Sequence, residues 1–344
     1  MIKSIRIKQV HTNTLSCEPL VRRLPNGDLL CACQCDGPSE PHDDNRTYIF
    51  RSTDNGETWS ERVKLYPEDG KAVYITELSV IGNELTAYLT VHKTKFLHWD
   101  CVMMKSFDNG YTWTNYGPPP HLPEYTFIRN TIRKANGEYL LTYMNYPVEA
   151  EDVRRIEADD TIENKSVCRT TAPYCESGVL ISADEGKTFE KFVASRADMS
   201  ANWIWSEPTV AELSDGRLAM IMRRCRTWHL WYTESADGGR TWSETVQLDI
   251  PNPGNKSRLI KCGDKIALIH TPNPVAGSVD RCPLALWISD DDMKTWKYKT
   301  VLTDFPGDFE YSDGFYEDGH ILFTIEHNRH TILFFDVELD DELK

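Results

Sequence analysis

The chain has 344 residues, with 38 Lys or Arg against 53 Asp or Glu and a formal charge of −15. That balance argues against nucleic acid and anionic membrane surfaces as partners, because their phosphates are met with clustered Lys and Arg. No apolar run reaches the roughly 18 residues of a membrane span, and the opening Met1–Asn13 lacks a signal peptide's apolar core, so a cytoplasmic location is expected.

Along the chain one unit returns. Ile2–Val10 reads as a strand able to close a ring. Cys17–Cys35 reads as two strands around an Asn26-Gly27 turn, where glycine supplies the positive φ of a tight hairpin. The same form recurs at Thr76–His92, Phe127–Met144, Ser206–Arg223, Ser257–Thr271 and Tyr311–Glu326. A third strand follows each hairpin, and in five cases it ends in an octet of the form S-x-D-x-G-x-T-W. The octets are Ser52–Trp59, Ser106–Trp113, Ser182–Phe189, Ser235–Trp242 and Ser289–Trp296. Their starts lie about 54 residues apart, with one stretched interval, which suits propeller blades. Within the octet the Asp accepts backbone N–H bonds, Gly takes a left-handed conformation and the aromatic ring plugs the neighbouring sheet. Five copies argue for a structural part, since one chemical site does not need five.

Six hairpins and five octets predict an all-β protein: a six-bladed β-propeller of four-stranded antiparallel blades, spanning 1–344 as one domain. Either Ile2–Val10 or Thr331–Leu339 would close the ring and protect the last edge. The stretched interval comes from an inserted loop, 146–176, between the second and third strands of blade three. A loop of this length is either functional, as a pocket wall or lid, or a solvated charged excursion.

Cys31, Cys33 and Cys35 share one face of a strand and cannot pair with one another in ordinary geometry. Buried thiols in a reducing compartment are expected, with Cys168 and Cys175 the one pair to check for a bond. No paired C-x-x-C knuckles occur, and His42, His92, His98 and His270 have no ligand spacing. No metal or other cofactor is therefore expected.

In a propeller the first strand of each blade lines the channel, so the starts of first strands and the ends of second strands open on one face. Glu18, Arg129, Glu207 and Tyr311 fall at strand starts, Arg223 at a strand end, and Arg281 on the way into a third strand. The octets fall on the opposite face. These octets resemble the Asp-boxes, or BNR repeats, of the sialidase (neuraminidase) superfamily, over nearly the whole chain. Glu207 resembles the family's glutamate that pairs with a nucleophilic tyrosine, and Tyr311, in a Tyr-Ser pair, resembles that tyrosine. Arg223 and Arg281 resemble two of its carboxylate-binding arginines.

The resemblance implies an exo-acting glycoside hydrolase that removes a terminal acidic sugar, sialic acid or a related sugar acid. A neutral phenol is not repelled by an anionic sugar, and the glutamate takes its proton as it attacks. Two departures stand out. Cys17-Glu18-Pro19 occupies the place of the family's Arg-Ile-Pro, so one arginine is gone and an acid stands beside its position. Arg129 is a candidate substitute, as are Arg22 and Arg23. The acid/base aspartate is expected in loop 36–45, where Asp43 and Asp44 are candidates with Glu40 and His42 nearby. Trp205, with Trp203, is a candidate sugar platform. Two alternatives stay open: a lyase using Tyr311 and a histidine on a uronic acid, and a propeller that only binds a glycan.

Overall fold

The computed structural model describes residues 2–67, 70–93, 96–119, 122–162, 171–275 and 277–340. Six four-stranded antiparallel sheets form the blades of a propeller. Blades one to five take residues 16–64, 72–115, 126–198, 208–251 and 258–301 in order. Blade six is assembled from both ends of the chain. Its inner strands are Phe309–Glu317, His320–His327 and Thr331–Leu339, and its outermost strand is the N-terminal Ile2–Thr12. The two terminal strands pair from Ile2 with Leu339 to Thr12 with Thr331.

That closure explains the count of octets. An octet is the chain's turn from the third to the fourth strand of a blade. In blade six the fourth strand comes from the other end of the chain, so no turn connects the two and no sixth octet is needed.

The five octets share one hydrogen-bond pattern. The Ser52 hydroxyl donates to Asp54 Oδ1 at 2.8 Å and accepts the Gly56 N–H at 2.8 Å, while Asp54 accepts the Thr58 N–H and hydroxyl at 2.9 and 2.6 Å. Gly56 has φ 82°, and a Cβ there would come within 2.2 Å of the Phe334 ring in blade six. In the fifth octet Met293 holds the equivalent turn at φ 66° without a glycine. The second and fifth octets sit against the inner hairpin turn of a neighbouring blade. The Asn26 N–H donates to Asn109 Oδ1, and the Ser214 hydroxyl to Asp292 Oδ2.

Donors crowding each carboxylate favour its charged form. Led by Thr58 and Thr188, they lower Asp54 and Asp184 to about 2, and led by the Thr112 N–H they do the same to Asp108. A depressed acid stabilises the fold above its ordinary value of 3.8, and this contribution is lost as pH falls towards 2. Asp237→Ala is therefore expected to lower the melting temperature by a few degrees at neutral pH, without altering ligand binding at the opposite face. Calorimetry at pH 7 beside a ligand titration checks both. A binding defect at unchanged stability would contradict this placement.

Between blades the faces meet in apolar layers, such as Phe309, Phe323 and Phe335 with Ile269 and Leu286. The insertion contributes the helix Ala150–Ala158, whose Ile156 is buried in a cluster with Phe96, Phe127, Tyr146 and Ala172. Cys168 lies outside the described residues, and so does its pairing with Cys175. Cys17, Cys31, Cys33, Cys35, Cys101, Cys225, Cys262 and Cys282 are free thiols, and the sulfurs of Cys33 and Cys35 stand 3.6 Å apart. The side chain of His98 is likewise outside the described set. Among the described residues no cluster of three or more His, Cys, Asp or Glu is arranged for a metal ion. No described helix is long and apolar enough to cross a membrane.

Candidate functional site

Four innermost strands break register at the end away from the octets. The breaks fall between Cys17 and Leu20, Ile75 and Glu77, Ile128 and Asn130, and Glu310 and Asp313. A bulge inserts an unpaired residue and re-aims its side chain. Glu18, Arg129 and Tyr311 are such residues, with Glu18 at φ 48° and Tyr311 at φ 54°. All three line one cavity of about 220 Å³ at the mouth of the ring. Glu207, Arg223, Arg281, Arg329 and Glu40 complete its polar side, and Tyr74, Phe96, Phe127, Trp203 and Trp205 its aromatic side.

The charged groups form a connected chain. Arg129 bridges two carboxylates, reaching Glu18 Oε2 at 3.0 Å and Glu207 Oε1 at 2.7 Å. The other Glu207 oxygen lies 2.6 Å from Arg223 Nε. Arg223 in turn donates through Nη2 to the Tyr311 hydroxyl at 3.2 Å and through Nη1 to the Gly254 carbonyl at 2.6 Å. Arg281 contacts Glu310, and Arg329 contacts Glu40. The turn Asn328–Arg329, at φ 54° and 60°, carries this last arginine.

Burial raises the Tyr311 pKa, with Arg223 opposing and Glu207 adding to the rise. Burial also acts to raise Glu207, but Arg223 and Arg129 outweigh it and hold the carboxyl below its usual range. Glu207 is thus ionised beside a neutral phenol. For Glu18 burial prevails over Arg129, and the pKa is raised. Just behind the cavity, Glu326 Oε2 accepts the Glu18 N–H at 2.8 Å, and Oε1 has no hydrogen-bond partner among the described residues. Burial pushes Glu326 up to about 8.

An acid whose folded pKa is raised stabilises fully below its unfolded value, and this contribution is lost as pH rises through the folded one. For Glu326 the window runs from 4.5 to about 8. Glu326→Gln is expected to flatten the decline of melting temperature across that window. Parallel melting curves at pH 5 and pH 8 measure it, and equal slopes in the two proteins would refute the assignment.

The structure thus brings together Tyr311, Glu207, Arg223, Arg281, Arg129, Glu18 and Trp205. Asp43 and Asp44 do not line the cavity. Asp44 is exposed and faces His42, and the backbone of Asp43 accepts from Arg46. Loop 36–45 instead presents Glu40, which also accepts from Gln34 Nε2 at 2.7 Å. Arg22 is buried with Glu77 and Asp313 where the innermost strands meet, and Arg23 pairs with Glu317 on the octet side. Arg129 is committed to its two carboxylates. The further cavity arginine is Arg329, and its signal in the sequence is topological: the turn after a second strand opens on the mouth.

The insertion supports the aromatic wall from behind. The Tyr146 hydroxyl donates to the Ile204 carbonyl at 2.7 Å, and its ring meets Trp205 edge-on at 5.5 Å. No described residue of 147–176 lines the cavity.

The BNR repeat-like domain profile matches residues 27–322, most of the ring. The chain belongs to the BNR repeat-like family. No curated protein matches it. Among solved structures, this BNR repeat-like chain is similar to the Hadza microbial sialidase Hz136, at 16% identity and TM-score 0.72, over 96% of this chain and 66% of that one. It is similar to the intramolecular trans-sialidase from Ruminococcus gnavus in complex with oseltamivir carboxylate, at 14% identity and TM-score 0.69, over 98% of both chains. It is also similar to the Penicillium chrysogenum alpha-L-arabinanase complexed with arabinobiose, at 15% identity and TM-score 0.62, over 98% of this chain and 99% of that one. At such identities the likeness is one of fold.

Proposed function

We propose that this BNR repeat-like propeller is an exo-acting glycoside hydrolase that removes a terminal acidic sugar, with Tyr311 as nucleophile. The observation that carries the reading is the buried Tyr311 hydroxyl in the cavity at the mouth of the ring, joined by Arg223 to an ionised Glu207. Likeness of fold to two sialidases and an arabinanase agrees with it. The Tyr311 oxygen attacks the anomeric carbon as the bond to the leaving oxygen breaks, and the phenolic proton passes to Glu207. Glu40 is the carboxyl that loop 36–45 presents to the cavity. It is assigned, ahead of Asp43 and Asp44, the proton given to the leaving oxygen and later taken from the incoming water. Water then cleaves the sugar–tyrosine bond, and Glu207 returns its proton to the departing Tyr311 oxygen, restoring the phenol. Arg281 and Arg329, the cavity arginines outside the Glu18–Arg129–Glu207–Arg223 chain, are assigned to the sugar's acid group. Trp205 forms part of the wall against the ring.

A lyase mechanism with Tyr311 and histidine has less support. No described histidine lines the cavity, and burial lowers His92 and His270 to about 3.

The test is a panel of 4-methylumbelliferyl glycosides of sialic acid and of other sugar acids. Release is expected from an acidic sugar, with common sialosides poor substrates. Cys17 stands where the resemblance calls for an arginine, with the acid Glu18 beside it. A charged hydrogen bond is worth about 1.5–3 kcal/mol, a loss of roughly ten- to a hundredfold. Ordinary efficiency on sialosides would overturn the specificity, and an unsaturated uronate product without hydrolysis would shift the reaction to the lyase class.

A further inference from the structure

Beside the cavity, between blades four and five, lies a second hollow of about 260 Å³. Three connections build it, and the same three line the cavity. The segment after Arg223 carries Trp228 and His229, the segment before Gly254 carries Pro251 and Pro253, and the segment before Arg281 carries Pro274 and Val275. The two hollows are therefore neighbours on one face, sharing the 251–254 segment as a wall.

Their chemistry is opposite. Seven charged side chains line the cavity: Glu18, Glu40, Arg129, Glu207, Arg223, Arg281 and Arg329. Among the described residues no Asp, Glu, Lys or Arg lines the second hollow, in a chain that is 26% charged. Trp228 is half-buried and held at φ 64°, a conformation costly for a bulky residue. Its carbonyl accepts the Asn252 N–H at 2.9 Å, which ties the strained turn to the shared wall. The exposed Gln247 lines the same hollow. An aromatic face, apolar proline edges and uncharged hydrogen-bonding groups are what a neutral sugar ring binds.

The geometry points to a leaving-group subsite here: a neutral sugar, linked to the acidic sugar in the cavity, stacks on Trp228. This rests on the glycosidase reading above. The acidic terminal unit occupies the charged cavity, and the uncharged remainder of the glycan leaves it over the 251–254 wall. The enzyme then selects oligosaccharides over simple aryl glycosides of the same sugar.

Two measurements on the full chain decide it. First, lactose and cellobiose, as free neutral disaccharides, are followed by saturation-transfer NMR. Binding to the wild type is expected, with loss in Trp228→Ala and retention in Arg281→Ala. Second, the ratio of kcat/KM for an oligosaccharide to that for the 4-methylumbelliferyl glycoside of the same terminal sugar is expected to fall at least tenfold in Trp228→Ala. Equal disaccharide binding by Trp228→Ala and wild type, or an unchanged ratio, would overturn the subsite. A wild type that hydrolyses none of these glycosides yet binds lactose or cellobiose through Trp228 would refute the glycosidase reading and leave the neutral-sugar site standing.

Discussion

Tyr311→Phe is expected to abolish turnover of the best acidic glycoside while the protein melts within a degree or two of wild type. Only the hydroxyl is removed, and with it the 3.2 Å bond from Arg223. The ring keeps its place between Arg223 and Arg281, whose guanidinium carbons lie 5.3 and 5.7 Å from its centroid. Losing a covalent nucleophile that acts with its base costs about 10⁴-fold or more in kcat. Initial rates and a melting curve on the same preparation test this. Full activity in the variant would remove Tyr311 from the chemistry.

The largest expected effect on stability is at Arg129. Its side chain is 3% exposed and lies between the carboxylates of Glu18 and Glu207, stacked 4.4 Å from the Phe127 ring. Arg129→Ala leaves two buried carboxylates facing each other with one counter-ion fewer. Breaking one partner out of a buried ion pair costs about 3–5 kcal/mol. At roughly 2–4 °C per kcal/mol for a chain of this class, the melting temperature should fall on the order of ten degrees. Adding Glu18→Gln should recover part of the loss, because one unpaired charge is then gone. A loss under about 1 kcal/mol in Arg129→Ala would mean that the triad is open to water.

Both expectations depend on contacts that differ greatly in how far the sequence discloses them. The octets and hairpins are local devices, since each Asp and Gly acts within its own turn. Their order alone therefore implied blades, a closed ring and the face on which Glu207, Arg223, Arg281 and Tyr311 would gather. The bulges at residues 18, 129 and 311 leave no such mark, because a one-residue slip against a partner strand changes no composition and no obvious period.

The same holds for pairing between blades. Arg129 and Glu207 are 78 positions apart, and nothing near either names the other. Loop 36–45 offers three acids within five residues, and only its path over the ring puts Glu40 in the cavity and leaves Asp43 and Asp44 outside. Short-range hydrogen bonding and strand periodicity were thus enough to specify the propeller and the mouth where a site would form. Which carboxylate meets which arginine there was decided by closure of the ring, which brings distant strand ends together with an accuracy that no local rule carries.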